Sequence, residues 1–216
     1  MMDAVITIEP MQEKYNRQVG CLLMQSFRGK FEHLTKLGEE ELALFFEKLL
    51  NCFPDGRTSH RMVAIQGGEV IGTFSMKWKE PNDKGNVRKR EAAKRPAWVE
   101  LKRFGAWKVI KLMTAMLFLS HEPKAGEGYI ADIAVHPEQR GKGIGKLLLR
   151  WAQQFGYSHP HISYLSLHVS GSNGGAKRLY EQMSFCTMKK EQRWFGYSLV
   201  KERHWNYMIL DLKDYV

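Results

Sequence analysis

Apolar and polar residues alternate along this chain with two different periods, which separates predicted strands from predicted helices. Short apolar or β-branched runs, typical of strands, lie at residues 5–9, 61–66, 69–78, 129–135, 163–169, 185–190 and 203–212. Apolar residues three or four positions apart, typical of amphipathic helices, lie at residues 15–27, 40–53, 98–119, 144–155 and 176–183. Strands interleaved with helices in this way predict a mixed α/β (α+β) fold.

A glycine-rich junction at residues 139–145 follows the strand at 129–135 and opens the next helix, with the sequence Gln-Arg-Gly-Lys-Gly-Ile-Gly. The first N–H groups of a helix lack partners and carry partial positive charge. Glycines lack the Cβ atoms that would hold a phosphate away from such groups, and Arg140, Lys142 and Lys146 add positive charge. The junction therefore predicts a phosphate cradle, although a glycine-softened turn without a ligand would have the same sequence.

The glycine spacing excludes two common phosphate-binding loops. A P-loop has four residues between its first glycine and Gly-Lys, whereas Gly141 and Gly145 enclose three. A dinucleotide-binding loop would need its third glycine one residue after Gly145. Residues 135–145 instead closely resemble the acyl-CoA signature of the GNAT superfamily of N-acyltransferases, which is Gln/Arg-x-x-Gly-x-Gly/Ala after a strand.

Residues 173–185 resemble a second motif of the same superfamily, Asn-x-x-Ala-x-x-Leu-Tyr-x-x-x-Gly-Phe. The positions that match are Asn173, Ala176, Leu179, Tyr180 and Phe185. Ser184 replaces the usual glycine, which ends the helix in a left-handed conformation, so the geometry of this helix end is left open. Both motifs occur in the family order, about thirty residues apart, and the chain is identified by them as a GNAT-like N-acyltransferase.

The resemblance implies a single GNAT-like domain over residues 1–216, with a central mixed, twisted sheet of about seven strands flanked by helices. It also implies that the strands at 129–135 and 163–169 lie side by side and splay apart at their ends, which opens a V-shaped slot for a thioester. The chain departs from the family pattern at residues 79–127, where a basic and helical insertion precedes the strand that would bind pantetheine.

Acetyl-CoA is the cosubstrate that the resemblance implies. Backbone N–H groups of residues 139–145 would cradle the CoA pyrophosphate, and residues 133–135 would pair through their backbone with the pantetheine arm. The residues expected to contact the cosubstrate are Ile133, Ala134, Val135, Gln139, Arg140, Gly141, Lys142, Gly143, Ile144, Gly145, Lys146, Asn173, Ala176 and Tyr180. Histidines, cysteines and carboxylates do not occur at metal-ligand spacing, so no metal is expected.

The implied reaction is transfer of an acetyl group to the primary amine of a small-molecule or peptide acceptor, by direct attack in a ternary complex. Tyr180 has the family position of the acid that protonates the departing CoA thiolate, although a core aromatic would suit the same helix position. Asp132 and Glu127 are candidates for the base that accepts the amine proton, and a water chain is a third option. Asp132 is out of phase with Ile133 and Val135, so its side chain could equally face solvent.

The alternative function is a non-catalytic acyl-CoA-binding or regulatory module.

The net charge of +10 is concentrated in one segment, because residues 84–103 hold eight basic and two acidic residues. After Pro96 the insertion becomes apolar with helical spacing, which suits a helix pair on the sheet edge, a cap over the acceptor site, a dimer contact or a membrane-surface helix. The basic residues could attract nucleic acid, but they lack the regularly interleaved aromatics of single-strand platforms, which argues against that partner. A homodimer stays open, because dimers are common in the superfamily.

The remaining patterns concern the compartment and the acceptor side. No apolar run is long enough to span a membrane, and the first residues lack the basic start and apolar core of a signal peptide. Three scattered cysteines suit a reducing cytoplasm. Residues 192–199 contain three aromatics that suit either an apolar wall for the acceptor or anchoring of the loop, namely Trp194, Phe195 and Tyr197.

Overall fold

The structure, a computed structural model, describes residues 5–81, 97–192 and 202–213. In these ranges the strands are β1 (Thr7–Pro10), β2 (Ser59–Gln66), β3 (Glu69–Trp78), β4 (Glu127–Val135), β5 (Tyr164–Ser170), β6 (Cys186–Gln192) and β7 (His204–Asp211). The α-helices are α1 (Asn16–Thr35), α2 (Glu39–Cys52), α3 (Ala97–Leu101), α4 (Ala106–Leu119), α5 (Ile144–Ser158) and α6 (Gly174–Gln182). Short 3₁₀ helices cover Glu13–Tyr15, Lys102–Phe104 and Pro137–Gln139.

The strands form one mixed sheet in the order β1-β2-β3-β4-β5-β7-β6. Only the pair β4 and β5 is parallel among the described strands, and every other neighbouring pair is antiparallel. The expected seven-stranded mixed sheet flanked by helices is therefore confirmed. The helical insertion before β4 is confirmed too, since α3 and α4 lie there.

The pair β4 and β5 separates partway along its length, as the V-shaped slot requires. Pairing runs from Glu127 opposite Tyr164 to Ile130 opposite Leu167 and then stops, although β4 continues to Val135. On its other side β4 stays paired with β3 up to Val135, with a register shift that leaves Ala131 as a β-bulge. One edge of the second half of β4 therefore has no strand beside it.

Apolar cores cover both faces of the sheet. On one face, here called the α5 face, the buried stripe of α5 packs with α6 against the inner residues of β3 to β5. Its α5 members are Ile144, Leu148, Leu149 and Ala152. On the other face, here called the α1 face, α1, α2 and α4 share a second core. Their fully or nearly buried residues include Val19, Leu22, Leu42, Phe45, Val109 and Leu112.

Some sequence predictions fall outside the described residues. The aromatic residues Trp194, Phe195 and Tyr197 and most of the basic segment 84–103 belong to ranges that are not described. Within the described ranges, none of the helices has the length and apolar character needed to cross a membrane. The single-domain boundaries 1–216 stay a prediction.

Ser184 ends α6 in the left-handed conformation, although the sequence had left the geometry of this helix end open. Its φ of 66° lies in the left-handed region, and it does so without being a glycine. The N–H of Ser184 donates to the carbonyl of Glu181, and that of Phe185 donates to the carbonyl of Tyr180, both at 3.0 Å. These two bonds define a Schellman helix end. The serine thus keeps the backbone geometry in which the family motif has glycine.

We expect Ser184→Gly to stabilise the protein. A left-handed L-residue costs about 1–2 kcal/mol, and the extra backbone entropy of glycine offsets about half of the gain. The free energy of unfolding in urea should rise by about 0.5–1 kcal/mol, which corresponds to a rise in Tm of roughly 2 °C. Ser120→Gly is the matched control, because Ser120 also ends a helix but has a φ of −74° and donates to the carbonyl of Leu117. Equal effects of the two substitutions would contradict the strained serine.

Candidate active site

The junction between β4 and α5 forms an open, glycine-lined turn. After the 3₁₀ helix at Pro137–Gln139, Gly141 and Gly143 have φ values of 79° and 87°, and α5 begins at Ile144. Side chains are strained in this region of φ, which explains the glycines physically. A Cβ atom at either glycine would meet nothing within 4 Å. The space beside the turn is therefore empty and accessible.

Several backbone N–H groups at this turn lack intramolecular partners. None of the hydrogen bonds among the described residues uses the N–H groups of Gly141, Gly143, Ile144, Gly145 or Lys146. The positive end of the α5 dipole coincides with them. The side chains of Arg140, Lys142 and Lys146 are exposed there. Unpaired N–H groups, a helix dipole and three cations are the features that suit a phosphate or pyrophosphate.

Three cofactor positions from the sequence motifs have structural contacts. Asn173 caps α6, because its Oδ1 accepts from the N–H of Ala176 at 3.1 Å. A Cβ atom on Gly145 would lie 2.8 Å from Cδ2 of Leu179, so this glycine allows α5 to pack closely on α6. Asn173, Ala176 and Gly145 therefore fix how the two helices meet beside the slot.

The unpaired half of β4 supplies the backbone that faces the slot between β4 and β5. Ile133 and Val135 point toward the α5 face, where they pack against its core, and Ala134 is buried on the α1 face. With the side chains fixed on the two faces, the edge presents backbone N–H and C=O groups, of which the carbonyl of Val135 accepts from Nε of Arg140 at 3.2 Å. An extended ligand could add to this edge as a strand.

A cavity of about 920 Å³ lies on the α1 face and reaches β4 where the slot begins. Its lining includes Ala131, the bulge residue, and Asp132 beside it. Arg61 of β2 and Ser75 and Lys77 of β3 lie next to them on the same face. The cavity therefore reaches the bulge in β4, which is also where the slot between β4 and β5 begins.

Asp132 is held by an ion pair and does not face solvent. Its two carboxylate oxygens accept from Nη1 and Nη2 of Arg61 at 2.6 and 2.7 Å, and Ser75 Oγ donates at 2.5 Å. Only 15% of its side chain is exposed. Burial would raise the pKa of Asp132, but the charge and hydrogen bonds of Arg61 outweigh it and hold the pKa below its ordinary value. The carboxylate stays ionised beside the cavity.

Glu127 is a buried carboxylate at the start of β4, in the paired part of the strand. Tyr207 Oη donates to it at 2.8 Å, the N–H of Lys124 donates at 2.7 Å, and Ser166 Oγ also donates. His121 Nε2 lies 3.0 Å from the same carboxylate. Burial alone would raise the pKa of Glu127, but these hydrogen bonds, that of His121 foremost, lower the pKa to about 2. An ionised carboxylate only accepts, so His121 Nε2 carries the shared hydrogen.

His121 joins Glu127 to further aromatic and polar side chains. Its ring centroid is 4.4 Å from that of Tyr129 and 5.3 Å from that of His168. Tyr129 Oη is 3.2 Å from Nδ1 of His168. We call Glu127, His121, Tyr129, Ser166, His168 and Tyr207 the Glu127 cluster. Glu127 is the only member of this cluster that was predicted from the sequence as a site residue. The other members come from a loop and three strands and share no local motif.

Tyr180 lies on α6 within the core of the α5 face. It is 6% exposed, and its ring packs 6.1 Å from that of Phe185. Burial, and then the negative charge of Asp132, raise the pKa of Tyr180 well above its ordinary value. The phenol therefore keeps its proton at neutral pH.

The comparisons with known proteins decide the family. The sequence model of the Acetyltransferase (GNAT) family matches residues 22–185. The chain belongs to the GNAT acetyltransferase family. An uncharacterized N-acetyltransferase of Methanocaldococcus jannaschii is 36% identical over 64 residues, which are 30% of this chain and 41% of that relative. The match thus spans less than half of the curated relative.

Solved structures share the fold of this GNAT acetyltransferase at low sequence identity. A chimera of the spermidine N-acetyltransferase SpeG from Vibrio cholerae and hSSAT superposes with a TM-score of 0.59 at 16% identity, covering 97% of both chains. The ribosomal-protein-S18-alanine N-acetyltransferase from Escherichia coli gives a TM-score of 0.53 at 14% identity, covering 96% of this chain and 94% of that one. These likenesses establish the fold, and the enzyme class follows from the family.

Acetyl-CoA is the cosubstrate of the family, and the glycine turn suits it. CoA carries a pyrophosphate, for which the unpaired N–H groups of the turn are suitable donors. The individual residues that were expected to bind it stay predictions. Among the described residues, no group of three or more His, Cys, Asp or Glu side chains is arranged to hold a metal ion.

The cradle can be tested with two glycines of similar backbone geometry. Gly143→Ala and Gly67→Ala both place a Cβ atom at positive φ, 87° and 60°, with open space around it. Each should lower the free energy of unfolding by about 0.5–1 kcal/mol, which is the left-handed cost less the backbone entropy of glycine. Only Gly143→Ala should weaken CoA binding in titration calorimetry, by about tenfold or more, since Gly67 lies in the β2–β3 turn. CoA affinity equal to that of the wild type would contradict the cradle.

The buried Glu127 predicts a pH-dependent contribution to stability. Its folded pKa is depressed from 4.5 to about 2, so its contribution is present above pH 4.5 and is lost as the pH falls toward 2. Denaturant titrations should show the wild type more stable than Glu127→Gln at pH 7, by on the order of 3 kcal/mol. The difference should shrink between pH 5 and the lowest pH that the folded protein tolerates. Glu138→Gln, at an exposed position, should stay close to the wild type throughout. A pH-independent gap for Glu127→Gln would oppose this assignment.

Proposed function

We propose that this protein transfers the acetyl group of acetyl-CoA to the primary amine of an acceptor, by direct attack within a ternary complex. The observation that carries the proposal is the meeting of slot and cavity at the bulge in β4. A thioester in the slot and an amine in the cavity would approach each other there, beside Ala131. Holding two reactants in contact supplies a large part of such a rate enhancement.

The donor side uses backbone groups for most of its contacts. The N–H groups of Gly141 and of residues 143–146 would bind the CoA pyrophosphate, with the side chains of Arg140, Lys142 and Lys146 as cationic partners. Gln139 begins this loop, and Ile144 starts the helix behind it. The free edge of β4 at residues 133–135 would pair with the pantetheine arm and direct the thioester toward the bulge.

The reaction forms a C–N bond and breaks the C–S bond of the thioester. The neutral amine attacks the carbonyl carbon, and a backbone N–H of β4 would stabilise the negative charge that develops on the carbonyl oxygen. Collapse of the tetrahedral intermediate releases the CoA thiolate. Tyr180, which burial keeps protonated, would donate its phenolic proton to the thiolate sulfur and would regain a proton from solvent before the next turnover.

The proton from the attacking amine needs another route. Asp132 and Glu127 are both held at low pKa, so each is a weak base. We propose that Asp132 orients the amine and water in the cavity. Glu127 would fix His121 through Nε2, leaving Nδ1 of that ring to accept the proton through a water chain. This route uses both carboxylates that were predicted from the sequence, together with the water chain that was the third option for accepting the amine proton.

Removing the Tyr180 hydroxyl separates catalysis from binding. Tyr180→Phe should lower kcat for CoA release by about 10²-fold or more, while CoA affinity in calorimetry stays near the wild-type value. Tyr157→Phe is the matched control, because Tyr157 is 47% exposed at the far end of α5. Its turnover should equal that of the wild type.

The results of this experiment also distinguish the acid role from other functions of the site. Full turnover in Tyr180→Phe would contradict the acid role and leave Tyr180 as a core aromatic. If the wild type binds acetyl-CoA tightly but turns over none of a broad panel of amines and peptides, the transfer reaction itself would be contradicted.

A further inference from the structure

The walls of the cavity are apolar and come from three helices. Phe27 and Phe31 of α1 and Phe46 of α2 form a triangle, with ring centroids 6.1 to 6.4 Å apart. Met113 and Met116 of α4 face them across the cavity. Aromatic rings and thioethers bind apolar groups, and methionine adapts to their shape.

The floor of the cavity is polar and belongs to the sheet. Arg61, Ser75 and Asp132 lie together beside Ala131, where the slot begins. A molecule that bridges floor and wall would have a polar group at the bulge in β4 and an apolar body among the helices. An amine with an apolar substituent has this arrangement.

The carboxylates in the cavity are largely occupied by protein partners. Asp132 is paired with Arg61, and Glu100 lies 3.6 Å from Lys48. Asp55 accepts from the N–H of Arg61 at 2.5 Å. Lys77 adds a further positive charge to the lining. Glu13 is the fourth carboxylate of the lining, and it is exposed. A polyamine needs several available carboxylates, and three of the four in this lining are already held by protein groups.

The size of the cavity suits a small molecule. Sites for small ligands enclose about 300–1,000 Å³, and this cavity is about 920 Å³. Resting on the proposed transfer reaction, we infer that the acceptor is a small primary amine with a bulky apolar substituent, aromatic or branched aliphatic. The amine lies at the Asp132 floor, and the substituent lies against Phe27, Phe46 and Met116.

The test compares kcat/KM for 2-phenylethylamine, ethylamine, spermidine and a short peptide with N-terminal phenylalanine. The value for 2-phenylethylamine should exceed that for ethylamine by about 10²-fold or more, because apolar groups discriminate by about tenfold or more per methylene. Spermidine should be a poorer acceptor than 2-phenylethylamine. The peptide should be poorer too, since its chain extends beyond the cavity.

Variants locate the discrimination in the cavity. Met116→Trp narrows the cavity and should lower kcat/KM for 2-phenylethylamine by about tenfold or more, and should lower the ratio of this value to that for ethylamine by a similar factor. Met188→Trp, on the exposed face of β6, should change neither value. Stabilisation by CoA in a thermal melt verifies that each variant is folded with an intact donor site. If Met116→Trp does not fold, Met116→Ala should shift the preference toward larger amines.

The outcomes separate the acceptor class from the transfer reaction. Equal values for ethylamine and 2-phenylethylamine, or a preference for spermidine, would overturn the apolar acceptor while the transferase stands. A preference for the peptide would overturn the small-molecule assignment. Absence of turnover with every amine, despite CoA binding, would overturn the transfer reaction and the acceptor with it.

Discussion

The separation of β4 from β5 after Ile130 is the constraint on which the site depends. A strand edge without a partner leaves backbone groups unsatisfied, and a sheet normally closes such an edge. Here β3 pairs with β4 along its other side, and the bulge at Ala131 turns the strand away from β5. Because the edge is held open, a ligand can complete it, and the glycine turn lies directly beyond its end.

Two buried carboxylates fix the sheet on either side of this opening. Burying an unpaired carboxylate costs a large amount of free energy. Each of these two carboxylates therefore has hydrogen-bonding partners on several strands. Arg61 and Ser75 tie Asp132 to β2 and β3, and Ser166 and Tyr207 tie Glu127 to β5 and β7. A slip in strand register would break these sets of bonds. The polar groups therefore specify the geometry of the slot as well as its chemistry.

The glycine turn could be predicted from the sequence because its determinants are local. Alternate glycines between a strand and a helix indicate an open turn, and the hydrophobic periods predicted the seven strands and the main helices. The pairing of Asp132 could not be predicted. Its partner Arg61 lies 71 residues away in the sequence. The bulge at Ala131 also shifts the alternation of side chains along β4, which was the basis for expecting that Asp132 could face solvent. His121 reaches Glu127 from a loop, through tertiary contacts that leave no local pattern.

The proposed acceptor side is built from side chains, whereas the proposed donor side is built mainly from backbone groups. Its walls are side chains from α1, α2 and α4, so they can vary without changing the backbone that binds CoA. The helical insertion contributes here, because Leu112 of α4 is buried in the core while Met113 and Met116 line the cavity. From the sequence, this segment could either pack on the sheet edge or cap the acceptor site. In the structure, one face of α4 packs in the core and another lines the cavity. In the proposed reaction, the segment that departs most from the family pattern would therefore contribute to the choice of acceptor.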